Sequence, residues 1–97
     1  MIEVETTITL ISTDGKVKPT APSFKMVNDR GVFCFINNNF ILRPQEEFTI
    51  DLMDMAAEFL EHGIELVNDT EFFLHFDTLF SGGVPTEIAL IQQKIKK

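Results

Sequence analysis

Few side chains in this sequence can carry acid–base, nucleophilic or metal chemistry: two histidines, one cysteine, no tyrosine and fifteen carboxylates. Glu58 and His62 stand four residues apart, with Asp54 four residues before Glu58. A carboxylate and an imidazole one helical turn apart can share a divalent cation. A closed site needs about four ligands, however, and no second helix supplies the rest. The simpler reading is a solvated helix face, with His62 near the C-terminal end of the dipole, where positive charge is welcome. His75 and Asp77 lie two apart on a strand and share a face with Phe73. Such a pair can orient a base, but no Ser or Cys nucleophile accompanies it, so hydrogen bonding at or near these side chains is the plainer account. Cys34 stands in the apolar run Val32-Phe33-Cys34-Phe35-Ile36 with no basic neighbour, which reads as an inert buried thiol.

None of the motifs that cradle phosphate, bind dinucleotides, hold catalytic zinc or present a serine nucleophile occurs. No catalytic residue, metal ligand or cofactor is therefore assigned, and the chain is expected not to be an enzyme. The most specific polar feature is an acidic stripe, Asp51, Asp54, Glu58 and Glu61, at spacings of three, four and three. Carboxylates one turn apart step about 5 Å along a helix, somewhat closer than phosphates along a DNA strand at roughly 7 Å. An acidic protein that occupies a nucleic-acid-binding surface is conceivable on that ground. The polar side of an amphipathic helix is the simpler account.

The elements that must position these groups follow from periodicity. Segment 2–12 alternates, with Ile2, Val4, Ile8 and Leu10 on one parity and Glu3, Glu5, Thr7 and Thr9 on the other, the pattern of a strand with one wet face. Asp14-Gly15 breaks it, and Pro19 and Pro22 keep 16–23 extended but outside any central strand. Phe24–Val27 and Val32–Ile36 flank Asn28-Asp29-Arg30-Gly31 and read as a hairpin. Asn37-Asn38-Asn39 is a further turn. Phe40–Leu42 and Phe48–Leu52 read as another strand pair around Arg43-Pro44-Gln45-Glu46. Over 51–62 the pattern predicts a helix: Leu52, Ala56, Phe59, Leu60 and Gly63 form the apolar stripe, with Phe59 at its centre. Asp51 or Asp54 serves as cap and Gly63 stands at C′. A short strand at Ile64–Val67 and a Phe-rich strand at Glu71–Phe80 follow. The segment Thr86–Ile95 fits strand better than helix.

The chain of 97 residues makes a single domain over 1–97. The expected fold is mainly β, a compact antiparallel sandwich or small barrel of about seven strands with one amphipathic helix at 51–62. The alternative is a two-layer α+β domain with a C-terminal helix. Net charge is −7, concentrated in residues 31–80, where ten acids face Arg43 alone. That balance argues against direct nucleic-acid binding, which needs a basic footprint. A lone cysteine cannot staple a secreted scaffold. No apolar run approaches a membrane span, and the acidic N-terminus is unlike a signal peptide, so a virion or cytoplasmic setting is expected.

Ten Phe stand beside no Tyr and no Trp. Phe carries no polar handle, so each one reads first as core. Two strands are nevertheless apolar on both faces: 32–36, and 71–80, where Phe72, Leu74, Phe76 and Phe80 oppose Phe73 and Leu79. Something must cover the second face. The expectation is a structural or assembly protein, of the kind found as small phage or viral virion components (capsid-stabilising, connector or tail proteins). It would act through protein–protein contacts as a homo-oligomer or as part of a larger assembly. The alternative is an acidic inhibitor docking on a basic protein surface. The interface is expected to involve Asp51, Asp54, Glu58, Glu61, Phe73 and Leu79.

Overall fold

The computed structural model describes residues 3–28, 33–77 and 87–96. Among these residues eight strands and one helix follow in the order β1 (Val4–Ile11), β2 (Gly15–Val17), β3 (Ser23–Val27), β4 (Phe33–Ile36), β5 (Phe40–Leu42), β6 (Glu47–Asp51), α1 (Met53–Glu61), β7 (Phe72–Asp77) and β8 (Ile88–Ile95). They form two four-stranded antiparallel sheets, ordered β1-β8-β3-β6 and β2-β7-β4-β5. The fold is thus the mainly β sandwich with one helix that the periodicity implies. The C-terminal segment is a strand, paired on both sides, which removes the α+β alternative.

The core lies between the sheets. Phe24, Met26, Ile88 and Leu90 of the first sheet meet Cys34, Ile36, Leu42, Phe72, Leu74 and Phe76 of the second. The alternating burial of β7, inward at Phe72, Leu74 and Phe76, expresses the period of two read from the sequence. Phe72 packs edge-on against Phe24 (ring centroids 5.7 Å apart) and Phe48 (5.8 Å), so aromatic contacts bridge the layers. Asn28, fully buried at the end of β3, donates through Nδ2 to the Leu42 carbonyl (3.0 Å) across to the other sheet.

Both strand pairs expected around the Asn28–Gly31 and Arg43–Glu46 turns are instead crossings between sheets. β3 and β6 pair with each other in the first sheet, while β4 and β5 belong to the second. Pro44 and Gln45, the latter at φ 70°, form the central positions of a type II turn closed by Glu46 N–H to the Arg43 carbonyl (3.1 Å). The local turn chemistry is as read, but a corner between layers and a hairpin use the same residues. The hairpin of this region is β4–β5, closed at Asn37 and Asn38 (φ 55° and 60°), where a type I′ turn needs left-handed residues. Ile64–Val67, expected as a strand, is irregular. Residues 64–67 line a cleft with α1, and the chain then runs beside 18–20, tied by Asn68 N–H to the Thr20 carbonyl (3.0 Å) and by Lys18 to Asp69 (2.8 Å). β2, three residues long, is an edge strand, consistent with the prolines at 19 and 22 that keep this stretch out of a central position. Leu79, Phe80 and the Ser81–Gly83 turn fall outside the described residues.

The helix is two residues shorter at its start than expected. Asp51 ends β6, and its Oδ1 accepts the Met53 N–H (3.0 Å), satisfying one of the unpaired donors of the first turn. At the other end Gly63 takes φ 74°; its N–H donates to Leu60 and that of Ile64 to Phe59 (3.0 Å each), a Schellman closure that favours glycine. Ala56, not Phe59, is the buried centre of the stripe. Phe59 and Leu60 are half-buried, and Leu52 is exposed. A small residue sits where the helix comes nearest the sheets, and the larger ones flank it.

β1 is the clearest departure. It forms where expected, but Val4, Ile8 and Leu10 face outward, and Ile8 and Leu10 are 64% and 62% exposed. The residue that packs on the core is Ile11, of the opposite parity. Its register partner Ile88 is buried, and that contact sets the strand's facing.

Candidate functional site

Three surfaces deserve a chemical reading: the outer face of the second sheet, the helix, and the His75 region. On the second sheet, β4 and β7 turn Cys34, Ile36, Phe72, Leu74 and Phe76 inward, and the pleat then sends Phe33, Phe35 and Phe73 outward. The register sets Phe35 between Ile41 of β5 and His75 of β7. Phe73 is 40% exposed, Phe33 36% and Ile41 39%, with Phe35 half-buried among them. Reading each Phe as core therefore fails at Phe40, 44% exposed on β5, and at Phe33 and Phe73. For Phe33 and Phe73 the doubly apolar pattern of β4 and β7 is the signal. No described element lies over this face; α1 packs instead on β8 of the opposite sheet.

Charged groups border the apolar island. Lys16 stands beside Phe73 in the register and pairs with Glu71 (3.6 Å). His75 Nδ1 lies 2.6 Å from Asp14 Oδ2, and Asp14 Oδ1 accepts the Phe76 N–H at 2.9 Å. An ionised carboxylate only accepts, so Nδ1 carries the hydrogen. The His–Asp pairing anticipated at 75 and 77 is thus made with Asp14, sixty-one residues away in the chain. The Phe76 N–H, and then His75, hold the Asp14 carboxyl below its ordinary value. The His75 ring stacks obliquely near Phe35 (6.1 Å). The two bonds tie Asp14, just before β2, to the neighbouring strand β7.

Cys34 is fully buried, and burial pushes its thiol up to about 12, as an inert thiol requires. Glu58 and His62 are exposed on the helix, and among the described residues no three His, Cys, Asp or Glu side chains converge as metal ligands would. Of the acidic stripe, Asp54, Glu58 and Glu61 lie exposed along α1, while Asp51 belongs to β6 and is engaged with Met53. The first three make no ion pair with any described residue. The stripe and Phe73, expected in one interface, occupy different surfaces: one on the helix over the first sheet, the other on the outside of the second. Leu79 lies outside the described residues.

A cleft of about 110 Å³ between α1 and segment 64–67 is lined by Ala56, Leu60, Leu66 and Pro22, with Lys94 also on its wall. It is below the range of small-molecule sites. No described helix is long and apolar enough to cross a membrane. Comparison with protein-family models, with curated proteins and with solved structures gave no match.

Proposed function

We propose that this chain is a non-enzymatic structural or assembly protein, acting through protein–protein contacts as a subunit of a homo-oligomer or a larger particle. A small phage or viral virion component (capsid-stabilising, connector or tail protein) is the setting proposed for it, with the cytoplasm as the other compartment. The observation that carries the reading is the island of Phe33, Phe35, Ile41 and Phe73, over which no described element lies. A small domain gains stability by burying such side chains, and an apolar centre with a charged rim is the anatomy of a protein interface. Size exclusion with light scattering tests it, alongside binding of a hydrophobic dye. The expected result is an oligomer, or copurification with a large particle, that withstands moderate salt and is dissolved by the double substitution Phe33→Ser and Phe73→Ser. A clean 11 kDa monomer at high concentration that binds no dye overturns the reading.

The second reading is an acidic antagonist that sets Asp54, Glu58 and Glu61 against a basic protein surface, in the manner of a nucleic-acid mimic. Their shared exposure, with no cation of the described chain engaged to them, favours it. Such a complex weakens steeply as salt rises, whereas an apolar interface does not.

A further inference from the structure

The outer edge of β1 is a row of hydrogen-bonding groups with no partner strand among the described residues. Lys96 N–H donates to the Glu3 carbonyl at 2.9 Å, and the ladder then runs from Val4↔Ile95 to Ile11↔Ile88 without a slip. Odd-numbered residues of β1 therefore turn their backbone groups toward β8. The even-numbered Val4, Thr6, Ile8 and Leu10 direct theirs to the open side. β1 is eight residues long, against three for β2 and β5 and five for β6, the other edge strands. It has no proline, no lysine and no interruption of its register, and its one charged residue is Glu5. Its sequence, VETTITLI, is rich in the β-branched residues that pair well.

We infer that β1 pairs antiparallel with β1 of a second copy of this chain, about a two-fold axis through Thr7, joining the two first sheets into one continuous sheet. The pattern of the strand selects that occupant. Opposite residues of an antiparallel pair share a face, so a two-fold axis normal to the sheet matches even with even and odd with odd. Centred on Thr7, the register uses every residue from 3 to 11. It sets Val4 against Leu10 and Thr6 against Ile8 as hydrogen-bonded pairs, and Glu5 against Thr9 as a non-hydrogen-bonded pair. Moving the centre to Ile8 sets Glu5 against Ile11 and loses the end of the ladder. The exposed stripe of Val4, Ile8 and Leu10 then adjoins its own copy, which removes apolar area from water on the outer face. Charge permits it despite the net −7: Glu5 stands opposite Lys94 in the β1–β8 register, and no like charges meet directly across the new pair. The inference deepens the assembly reading by naming a partner, and it uses a surface separate from the Phe33–Phe73 island.

The test uses the full chain. Thr6→Pro removes an N–H on the open edge but none that bonds to β8, so the monomer fold is retained by circular dichroism and dimer association weakens at least tenfold by light scattering. In a second variant, Thr7→Cys, the new thiols face each other across a non-hydrogen-bonded pair, with Cα atoms about 4.5 Å apart, within disulfide range. Mild oxidation with diamide is expected to cross-link this variant to a dimer within minutes and Thr6→Cys at least tenfold more slowly, while Cys34, being buried, stays reduced. Equal cross-linking of the two variants, or none in either, overturns the pairing. An oligomer that survives Thr6→Pro but dissolves in the Phe33→Ser, Phe73→Ser variant overturns this inference and leaves the assembly reading standing. A monomer that binds no dye overturns both.

Discussion

Asp14 shows how one side chain can close an edge of the sandwich. It sits just before β2, and its two oxygens take the Phe76 N–H and His75 Nδ1, both on the neighbouring β7. Because the folded carboxyl is held below its ordinary value, chiefly by the Phe76 N–H, these bonds contribute fully above about pH 4, where the carboxyl is ionised folded or unfolded. The contribution is lost as pH falls through the folded value. Asp14→Asn is therefore expected to flatten the loss of stability on acidification below about pH 4. With the side chain nearly half exposed, the effect should be under about 1 kcal/mol. Denaturant titrations across that range check it; an unchanged pH slope rejects the role. Cys34 gives a sharper readout. Its buried thiol is expected to ignore a disulfide-exchange reagent at pH 8 in the native protein and to react at once in denaturant. Fast stoichiometric reaction of the folded chain would place it at the surface.

At the level of elements, burial separates two phenylalanines of similar sequence promise. Phe24 on β3 is fully enclosed between the sheets, touching Phe48 and Phe72, and Phe24→Ala should cost about 3–5 kcal/mol. Phe59 lies half-buried beside Ala56 on α1, and Phe59→Ala should cost about 1–2 kcal/mol, since much of the ring never left water. Equilibrium unfolding of both variants decides, and a Phe59 loss equal to that of Phe24 would mean that α1 is buried more deeply than described. The helical period located the apolar stripe, but not how near each member comes to the sheet. That depends on which turn of the helix crosses β8.

The molecule as a whole measures 50 × 23 × 17 Å. Both flat sides carry apolar side chains: Ile8 and Leu10 beyond the core on the first sheet, Phe33 and Phe73 on the second. The acidic residues of α1 belong to neither patch. Replacing Asp54, Glu58 and Glu61 together by Gln is expected to leave stability within about 1 kcal/mol, because all three are exposed and make no ion pair with a described residue. It should also leave the oligomer intact. Loss of a bound partner in this variant with self-association unchanged would favour the antagonist reading, and sedimentation at two salt concentrations would distinguish the two.

Local chemistry was legible in the sequence wherever it needs only neighbouring residues. The Gly63 closure, the left-handed Asn37-Asn38 turn, the turn at Pro44, the alternation of β7 and the inertness of Cys34 all follow from side-chain type and period. The double apolarity of β4 and β7 also marked Phe73 as a candidate contact before any pairing was known. What sequence spacing could not convey is which sheet each strand joins. A corner and a hairpin have the same turn residues, so β3–β4 and β5–β6 were read as pairs although long-range pairing sends them to opposite layers. The same reason explains β1: alternation reveals that one parity is apolar, but only the contact of Ile11 and Ile88 with the core decides which parity faces in. Asp14 meets His75 because β2 is laid beside β7 from a distant part of the chain, a contact that free-energy gains in the packed core impose and no local pattern encodes.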